Sequence, residues 1–430
     1  MEGSARPITP DTTPRLARKL GLADAVFVGL GAMIGAGIFS AIAPAAAASG
    51  SWMLVSLAIA AGVALCNALS SAQLAALYPA AGGTYVYGRE RLGAFWGYLA
   101  GWGFVIGKVA SCAAMALTFG FYVHEDFARP LAVGAVATFT IVNVLGVQKT
   151  ARVASVLVVA VVATLSLPVL SAFALPSFDA GRAFPDSAPP GGLGLLEGGA
   201  LLFFAFAGYA RIATLGEEVV EPAKTIPRAI PVALAITVAI YALVIGAALI
   251  ALGPDGLAGA KAPLAATVEA SDLDAWAPVI RIGAALASLS VLLSLLAGVS
   301  RTSFAMARER DLPGWLDAVH PRYGVPHRAE IVAGVIVAVL AATIDLRSAI
   351  GFSSFAVLGY YAIANASAWT LAGDERRFPK FIAGMGVAGC VALAISLPWE
   401  TLAAGGALFA VGIAVYGGRR FLTAKGRDRD

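Results

Sequence analysis

The chain has 430 residues, of which 59% are hydrophobic and 13% charged, and its mean hydropathy is +0.82. A soluble domain of this length carries about twice as many charged residues, so the composition excludes an ordinary soluble enzyme and indicates a polytopic membrane protein. The net charge of +4 is uninformative by itself, and no nucleic-acid partner is expected. The three cysteines lie in apolar runs, as small core residues do, and no Cys/His cluster predicts a metal site.

Twelve apolar runs are long enough to cross a bilayer as helices, which predicts an all-α protein with 12 membrane spans. The runs are 24–47, 52–77, 94–121, 130–147, 153–175, 196–217, 228–252, 278–306, 328–345, 349–372, 380–397 and 399–417. With the N-terminus inside, 23 of the 30 Lys and Arg residues fall on the cytoplasmic side and five on the other. This asymmetry predicts a multi-pass protein of the plasma (inner) membrane with both termini in the cytoplasm.

Glycine interrupts two of these runs near their middle. The first run contains Gly29, Gly31, Gly35 and Gly37 within nine residues, and the sixth contains Gly208 after a cluster of phenylalanines. Glycine weakens a helix, and unwound backbone at membrane depth is tolerated where it lines a cavity or meets a ligand. Two such breaks in corresponding positions predict a transporter built from inverted repeats. The alternative is that these glycines only allow close helix packing.

The beginning of the chain has a second interpretation. Arg15, Arg18 and Lys19, followed by an apolar run and small residues at 45–47, resemble a cleavable signal peptide. Cleavage would remove the run with the most glycines, and this run is longer than a usual signal core. We therefore predict that it is retained as the first span.

The breaks suggest how the chain is divided. We expect a cytoplasmic tail (1–22), a first five-helix repeat (23–176), an extracellular connection (177–195), a second five-helix repeat (196–373), two further helices (374–418) and a cytoplasmic tail (419–430). After the eighth span, residues 306–316 predict a short amphipathic interfacial helix. The loops at 78–87 and 308–311 are expected to brace the cytoplasmic gate.

Five segments, in chain order, carry a resemblance to a known family. They are Gly-Ala-Met-Ile-Gly-Ala-Gly-Ile-Phe (31–39), Tyr-Pro-Ala-Ala-Gly-Gly-Thr-Tyr-Val-Tyr-Gly (78–88), Asn-Val-Leu-Gly-Val-Gln-Lys-Thr-Ala-Arg-Val (143–153), Gly-Glu-Glu-Val-Val-Glu-Pro-Ala-Lys-Thr-Ile-Pro-Arg-Ala-Ile (216–230) and Ala-Met-Ala-Arg-Glu-Arg-Asp-Leu-Pro (305–313). With them the chain resembles the amino acid–polyamine–organocation (APC) superfamily of secondary transporters. The resemblance implies a LeuT-like fold of 5+5 inverted repeats with broken helices 1 and 6, and alternating-access transport of amino acids or related amines.

The first break predicts half of a substrate site. A half-helix that starts after the break presents free N–H groups and its positive end, which favour a carboxylate. We assign this role to the backbone of Gly35, Ala36 and Gly37, with Ile34 beside them.

The sixth span should supply the other half. Its freed carbonyls, around Ala205 and Gly208, should meet the substrate ammonium, and Phe204 resembles the aromatic gate of the family. The alternative for the phenylalanines is lipid contact or core packing. The family often has Glu two residues after the glycine, where this chain has Ala210, so amine binding through a carboxylate is in doubt.

Two cations fall at membrane depth, where ionisable residues are functional candidates. Lys108 lies near the middle of the third span, and it either couples transport to protons or is hydrogen-bonded to unwound carbonyls. Some proton-coupled relatives have a lysine in the fifth helix, where this chain has Val161. Arg211 follows the sixth-span break, and its fixed charge should disfavour cationic substrates. It either lines an aqueous path or pairs with a glutamate at 217–218.

The predicted function is secondary active transport of neutral amino acids, coupled to H⁺, with the bilayer as environment and no bound cofactor. The alternatives are an amino acid exchanger or a non-transporting sensor on the same fold. A membrane-embedded enzyme is not expected, because its one option is Ser–Lys chemistry between Lys108 and Ser111. Oligomeric state and the identity of the amino acid are not specified by the sequence.

Overall fold

The computed structural model describes residues 20–78, 82–146, 151–176, 179–184, 188, 190–208, 212 and 219–427. Within these residues the secondary structure is helical, with short 3-10 turns and one isolated bridge that joins Leu20 to Val219. The α-helices are α1 (Leu22–Met33), α2 (Ala36–Ser49), α3 (Met53–Leu77), α4 (Thr84–Leu92), α5 (Ala94–Val123), α6 (Ala128–Val144), α7 (Ala151–Phe173), α8 (Gly191–Phe206), α9 (Pro222–Gly259), α10 (Pro263–Glu269), α11 (Ala277–Arg308), α12 (His327–Thr343), α13 (Leu346–Trp369), α14 (Lys380–Ile395) and α15 (Trp399–Arg427).

The helices form a membrane-spanning bundle. Seven helical segments within the described residues are long and apolar enough to cross a bilayer, and α1, α6, α8 and α14 are shorter apolar helices. Helices α5 and α13 lie at the centre, since 72% of the apolar window of each is buried. Helix α15 lies at the periphery, with only 11% of its window buried. An apolar helix with so little protein around it faces lipid.

The first predicted span consists of two helices. α1 ends at Met33 and α2 begins at Ala36, and the backbone between them leaves the helical region at Ile34 (ψ 52°) and Gly35 (φ −104°, ψ −149°). Glycine at the start of α2 makes this departure inexpensive. The glycine-rich pattern therefore located the interruption.

The second interrupted span differs from the predicted limits. α8 begins at Gly191, within the segment 177–195 that was expected to be a connection, and ends at Phe206, followed by a turn at Ala207 and Gly208. Most of the remaining part of the predicted span, including Arg211, lies outside the described residues.

The predicted interfacial helix at 306–316 is wrong. α11 ends at Arg308, and the chain turns back because Arg310 adopts a left-handed conformation (φ 59°). The Asp311 amide donates to the Met306 carbonyl (2.7 Å) and the Arg310 amide to the Ala307 carbonyl (3.0 Å), which is a Schellman C-cap. A single 3-10 turn, Gly314–Leu316, follows. The short helix at this end of the bundle is instead α4, and α15 extends beyond its predicted span to Arg427.

Candidate functional site

The two helix breaks are in backbone contact. A Cβ atom added to Gly37 of α2 would lie 2.7 Å from the Ala205 Cα of α8, and one added to Gly208 would overlap the Ala32 carbonyl of α1. Only glycine allows backbones to approach so closely. The structure therefore joins the interrupted ends of α1, α2 and α8 in one place.

Tyr241 of α9 links these ends by hydrogen bonds. Its hydroxyl lies 2.6 Å from the Met33 carbonyl oxygen and 3.1 Å from that of Ala205. Both carbonyls belong to final helical turns, where no backbone N–H of the same helix is available as a donor. The side chain is fully buried, and its one proton serves the two acceptors alternately. Tyr241 is not among the residues that the sequence pattern indicates; its one signal is a tyrosine within an otherwise apolar run.

The N-terminus of α2 can receive an anion. Gly35 is its N-cap and makes no side-chain cap, so the first amides of the helix depend on other partners. Ile34, which precedes the cap, is buried. With the positive end of the helix dipole, this turn has the chemistry that a carboxylate requires.

The glycines of the first break also have packing roles. A Cβ atom at Gly29 would overlap Ile212, one at Gly31 would overlap Val158, and one at Gly35 would lie 2.5 Å from the Val291 Cγ2. Close packing thus accounts for the absence of side chains at these positions. The N–H groups of the break are a separate property, because they belong to the backbone.

The three phenylalanines of α8 are all buried. Phe203 packs edge-on against Tyr361, with ring centroids 6.1 Å apart, and Phe206 packs against Tyr241 at 5.2 Å. Phe204 is 8% exposed and lies in the last turn of α8, beside the break. Core packing therefore explains Phe203 and Phe206, and the gate role of Phe204 stays a prediction.

Lys108 is buried in α5, at a different level from the α2 N-terminus. The antiparallel helices α5 and α11 are aligned by contacts of Gly101 with Met306 and of Tyr122 with Arg281. At 1.5 Å per residue, the first contact places Lys108 about 12 Å, and the second about 6 Å, nearer to the Met306 end of the bundle than Val291, which meets Gly35.

Within the described residues, the ammonium of Lys108 has no paired anion. The side chain is 7% exposed, and no hydrogen bond or ion pair connects it to any residue in the described part of the chain. The predicted alternative, a lysine bonded to carbonyls of the breaks, finds no contact among those residues. An ionisable group buried in this way is a candidate for a functional role.

One end of the bundle, which we call the basic end, is held by α4. The Tyr85 hydroxyl donates to Asp311 Oδ2 (2.7 Å), and Arg89 pairs with Asp311 (3.3 Å) and Glu309 (3.5 Å). Arg91 pairs with Glu375 (2.9 Å) beyond α13. Burial raises the pKa of the Asp311 carboxyl above its ordinary value, although Tyr85 and Arg89 oppose this.

The opposite end is held by Tyr122 at the end of α5. Its hydroxyl donates to the Phe39 carbonyl of α2 (3.1 Å) and accepts from the Leu264 amide of α10 (3.3 Å). Arg281 and Glu269, 2.8 Å apart, join α11 to α10 nearby. The breaks therefore lie between two hydrogen-bonded closures, one at each end of the bundle.

Comparison with known proteins places this arrangement in a family. A family model described as amino acid permease matches residues 20–422. An uncharacterized transporter of Mycobacterium tuberculosis is 57% identical over 99% of this chain and 97% of its own. A branched-chain amino acid permease of Bacillus subtilis is 26% identical, covering 93% and 92%. A chloroplastic cationic amino acid transporter of Arabidopsis thaliana is 29% identical, covering 82% and 65%.

The residues that the family model matches include both helix breaks, α4 and the turn after α11. The relatives are named as permeases and transporters, so this chain is a transporter and not an enzyme. Their substrate names differ, and a methylthioribose transporter of Bacillus subtilis, 28% identical over 77% of this chain and 76% of its own, is also among them. The chain belongs to the amino acid permease family of the amino acid–polyamine–organocation superfamily.

Proposed function

We propose that this permease carries neutral amino acids across the plasma membrane by alternating access, coupled to protons. The observation that carries the proposal is the contact between the two helix breaks, where an α2 N-terminus without a side-chain cap meets the end of α8. In this proposal the substrate carboxylate binds the amides of Gly35–Gly37, and Phe204 covers it.

The surroundings of the breaks favour an uncharged side chain. Ile34, Ala205 and Val291, which meet there, are apolar, and Tyr241 adds an uncharged hydroxyl. A cationic side chain would need an anion in this low-dielectric region. The branched-chain amino acid permease of Bacillus subtilis is named for a substrate that such a site would suit.

We further propose the membrane arrangement that the sequence predicts: two five-helix repeats (23–176 and 196–373), two additional helices, 12 spans in all and cytoplasmic termini. The basic end is then cytoplasmic, in agreement with its arginines Arg89, Arg91 and Arg310. Alternating access requires the closures at the two ends to open in turn.

Proton coupling is assigned to Lys108. Its buried position between the breaks and the basic end lies on the route that a proton would take from the site to the cytoplasm. An ionisable side chain at membrane depth is a candidate for such a role. Because Lys108 lies nearer to the basic end than Gly35 does, we assign it to the route and not to the substrate itself.

The test is uptake of radiolabelled leucine into proteoliposomes that contain the purified protein. An inward proton gradient should drive accumulation, an inward sodium gradient should not, and unlabelled leucine should compete better than lysine. Flux that requires internal amino acid and ignores both gradients would identify an exchanger, and binding without flux would identify a sensor. Equal competition by lysine would refute the neutral-substrate proposal.

Replacing Lys108 tests the coupling separately. Lys108→Met should abolish proton-driven accumulation and leave exchange of internal for external leucine intact. Ser111→Ala, which removes a buried polar group from the next turn of α5, is the matched control and should keep proton-driven accumulation. Unchanged proton dependence in Lys108→Met would refute the assignment.

A further inference from the structure

A cavity of about 230 Å³ lies at the basic end, apart from the helix breaks. It is enclosed by α4, the start of α5, the turn after α11 and the last part of α15. Its lining residues are Arg89, Ala94, Arg310, Asp311, Tyr416, Arg419 and Arg420. Three separate parts of the chain thus contribute arginines to one concave surface.

Among the described residues of the cavity, arginines outnumber carboxylates. Four of the lining residues are arginines and one, Asp311, is a carboxylate. Glu309 adds a second carboxylate at the margin, 3.5 Å from Arg89. Guanidinium groups bind phosphate oxygens through pairs of parallel hydrogen bonds, which makes a phosphate the anion that this surface fits.

The backbone fixes one of these arginines. Arg310 is the left-handed residue of the C-cap of α11, a position that glycine usually occupies. Its side chain is exposed. The backbone hydrogen bonds of the cap hold Arg310 at the cavity, so the position of its charge does not depend on a flexible loop.

The position of the cavity favours a membrane lipid over a soluble anion. Arg419 and Arg420 lie within three residues of the end of the predicted last span, and α15 has the least buried apolar window of the spanning segments. The half-buried ring of Tyr416 packs against that of Phe95 (5.4 Å), and partly accessible aromatic rings are common at the level of lipid headgroups. Basic pockets at this depth bind anionic headgroups.

We propose that this cavity binds the phosphate headgroup of an anionic phospholipid. The guanidinium groups of Arg310 and Arg420 hold the phosphate oxygens, and the acyl chains lie along α15. The proposal does not depend on which substrate the protein transports. Inorganic phosphate shares the binding chemistry, but it lacks the acyl chains that α15 would contact.

The test uses the full chain, purified in a neutral detergent, with thermal unfolding as the readout. Dioctanoyl-phosphatidylglycerol should raise the unfolding midpoint in a saturable manner, and dioctanoyl-phosphatidylcholine should not. Inorganic phosphate at the same concentration should have a much smaller effect. An equal effect of inorganic phosphate would overturn the lipid assignment, and an equal effect of phosphatidylcholine would overturn the phosphate-specific site.

Variants locate the site. The double variant Arg310→Gln/Arg420→Gln should weaken phosphatidylglycerol binding by about 30-fold, because each arginine lost should weaken binding about fivefold. Arg322→Gln/Arg376→Gln removes two exposed arginines that do not line the cavity and should change nothing. Equal binding by the two double variants would overturn the proposal. If the first does not fold, Arg420→Gln alone should weaken binding about fivefold.

Discussion

Replacing Tyr241 by phenylalanine tests whether the link between the helix breaks matters for transport. The substitution keeps the ring that packs against Phe206 and removes only the hydroxyl. The carbonyls of Met33 and Ala205, 2.6 and 3.1 Å from that hydroxyl, then lose their donor in a region without exposed surface. The closed arrangement of the two breaks should become less stable.

The expected size follows from the geometry. A buried acceptor left unsatisfied destabilises a structure by ~1–3 kcal/mol. If the substrate binds the arrangement in which the breaks are linked, that energy is lost from binding. The apparent KM for leucine in proteoliposomes should then rise by about 5- to 150-fold in Tyr241→Phe.

Tyr98→Phe is the matched control. Its hydroxyl is also buried and donates to one backbone carbonyl, that of Gly412 at 3.0 Å, far from the breaks. Both variants should lower the thermal unfolding midpoint, but only Tyr241→Phe should raise KM. Equal KM values in the two variants would refute the reasoning, because the hydroxyl would then stabilise the fold without acting at the site.

Three further predictions concern other parts of the molecule. Gly208→Ala should abolish uptake because its Cβ would overlap a backbone carbonyl of α1. Gly62→Ala, whose Cβ would have no atom within 4 Å, should leave uptake unchanged. Normal uptake by Gly208→Ala would show that the contact is not maintained. At the N-cap of α13, burial alone would raise the pKa of Asp345, but hydrogen bonds from the first helical turn outweigh burial and keep it below its usual value. The stability that Asp345 provides is therefore present above the ordinary carboxyl pKa and lost as pH falls through the lower, folded-state value. Asp345→Ala should lower the free energy of unfolding by ~1 kcal/mol at neutral pH and by less in acid. A difference in unfolding free energy that does not change with pH would contradict this. The Arg91 guanidinium is the main cause that holds the pKa of Glu375 below its usual value, so Arg91→Gln should raise that pKa toward its usual value in a carbon-13 NMR titration. An unmoved titration curve would mean that the pair does not form in solution.

Several features of the fold could be read from the sequence because their causes are local. Hydrophobic runs determine where helices can cross a bilayer. Glycine determines where a run is interrupted, and the structure indeed separates α1 from α2 between Met33 and Ala36. The end of α11 was missed for a local reason as well: Arg310 occupies a C-cap position that normally requires glycine, so the pattern continued to predict helix.

The candidate site shows what tertiary structure alone decided. Lys108 and the first break share a predicted depth near the middle of their spans, yet the alignment of α5 with α11 places Lys108 about 6 to 12 Å nearer to the basic end. Tyr241 meets the breaks, and four arginines from distant segments share one cavity. Sequence by itself determined the composition of each helix and the places where helices stop. Which side chains meet depended on how the helices pack and rotate against one another, and no local pattern encodes that.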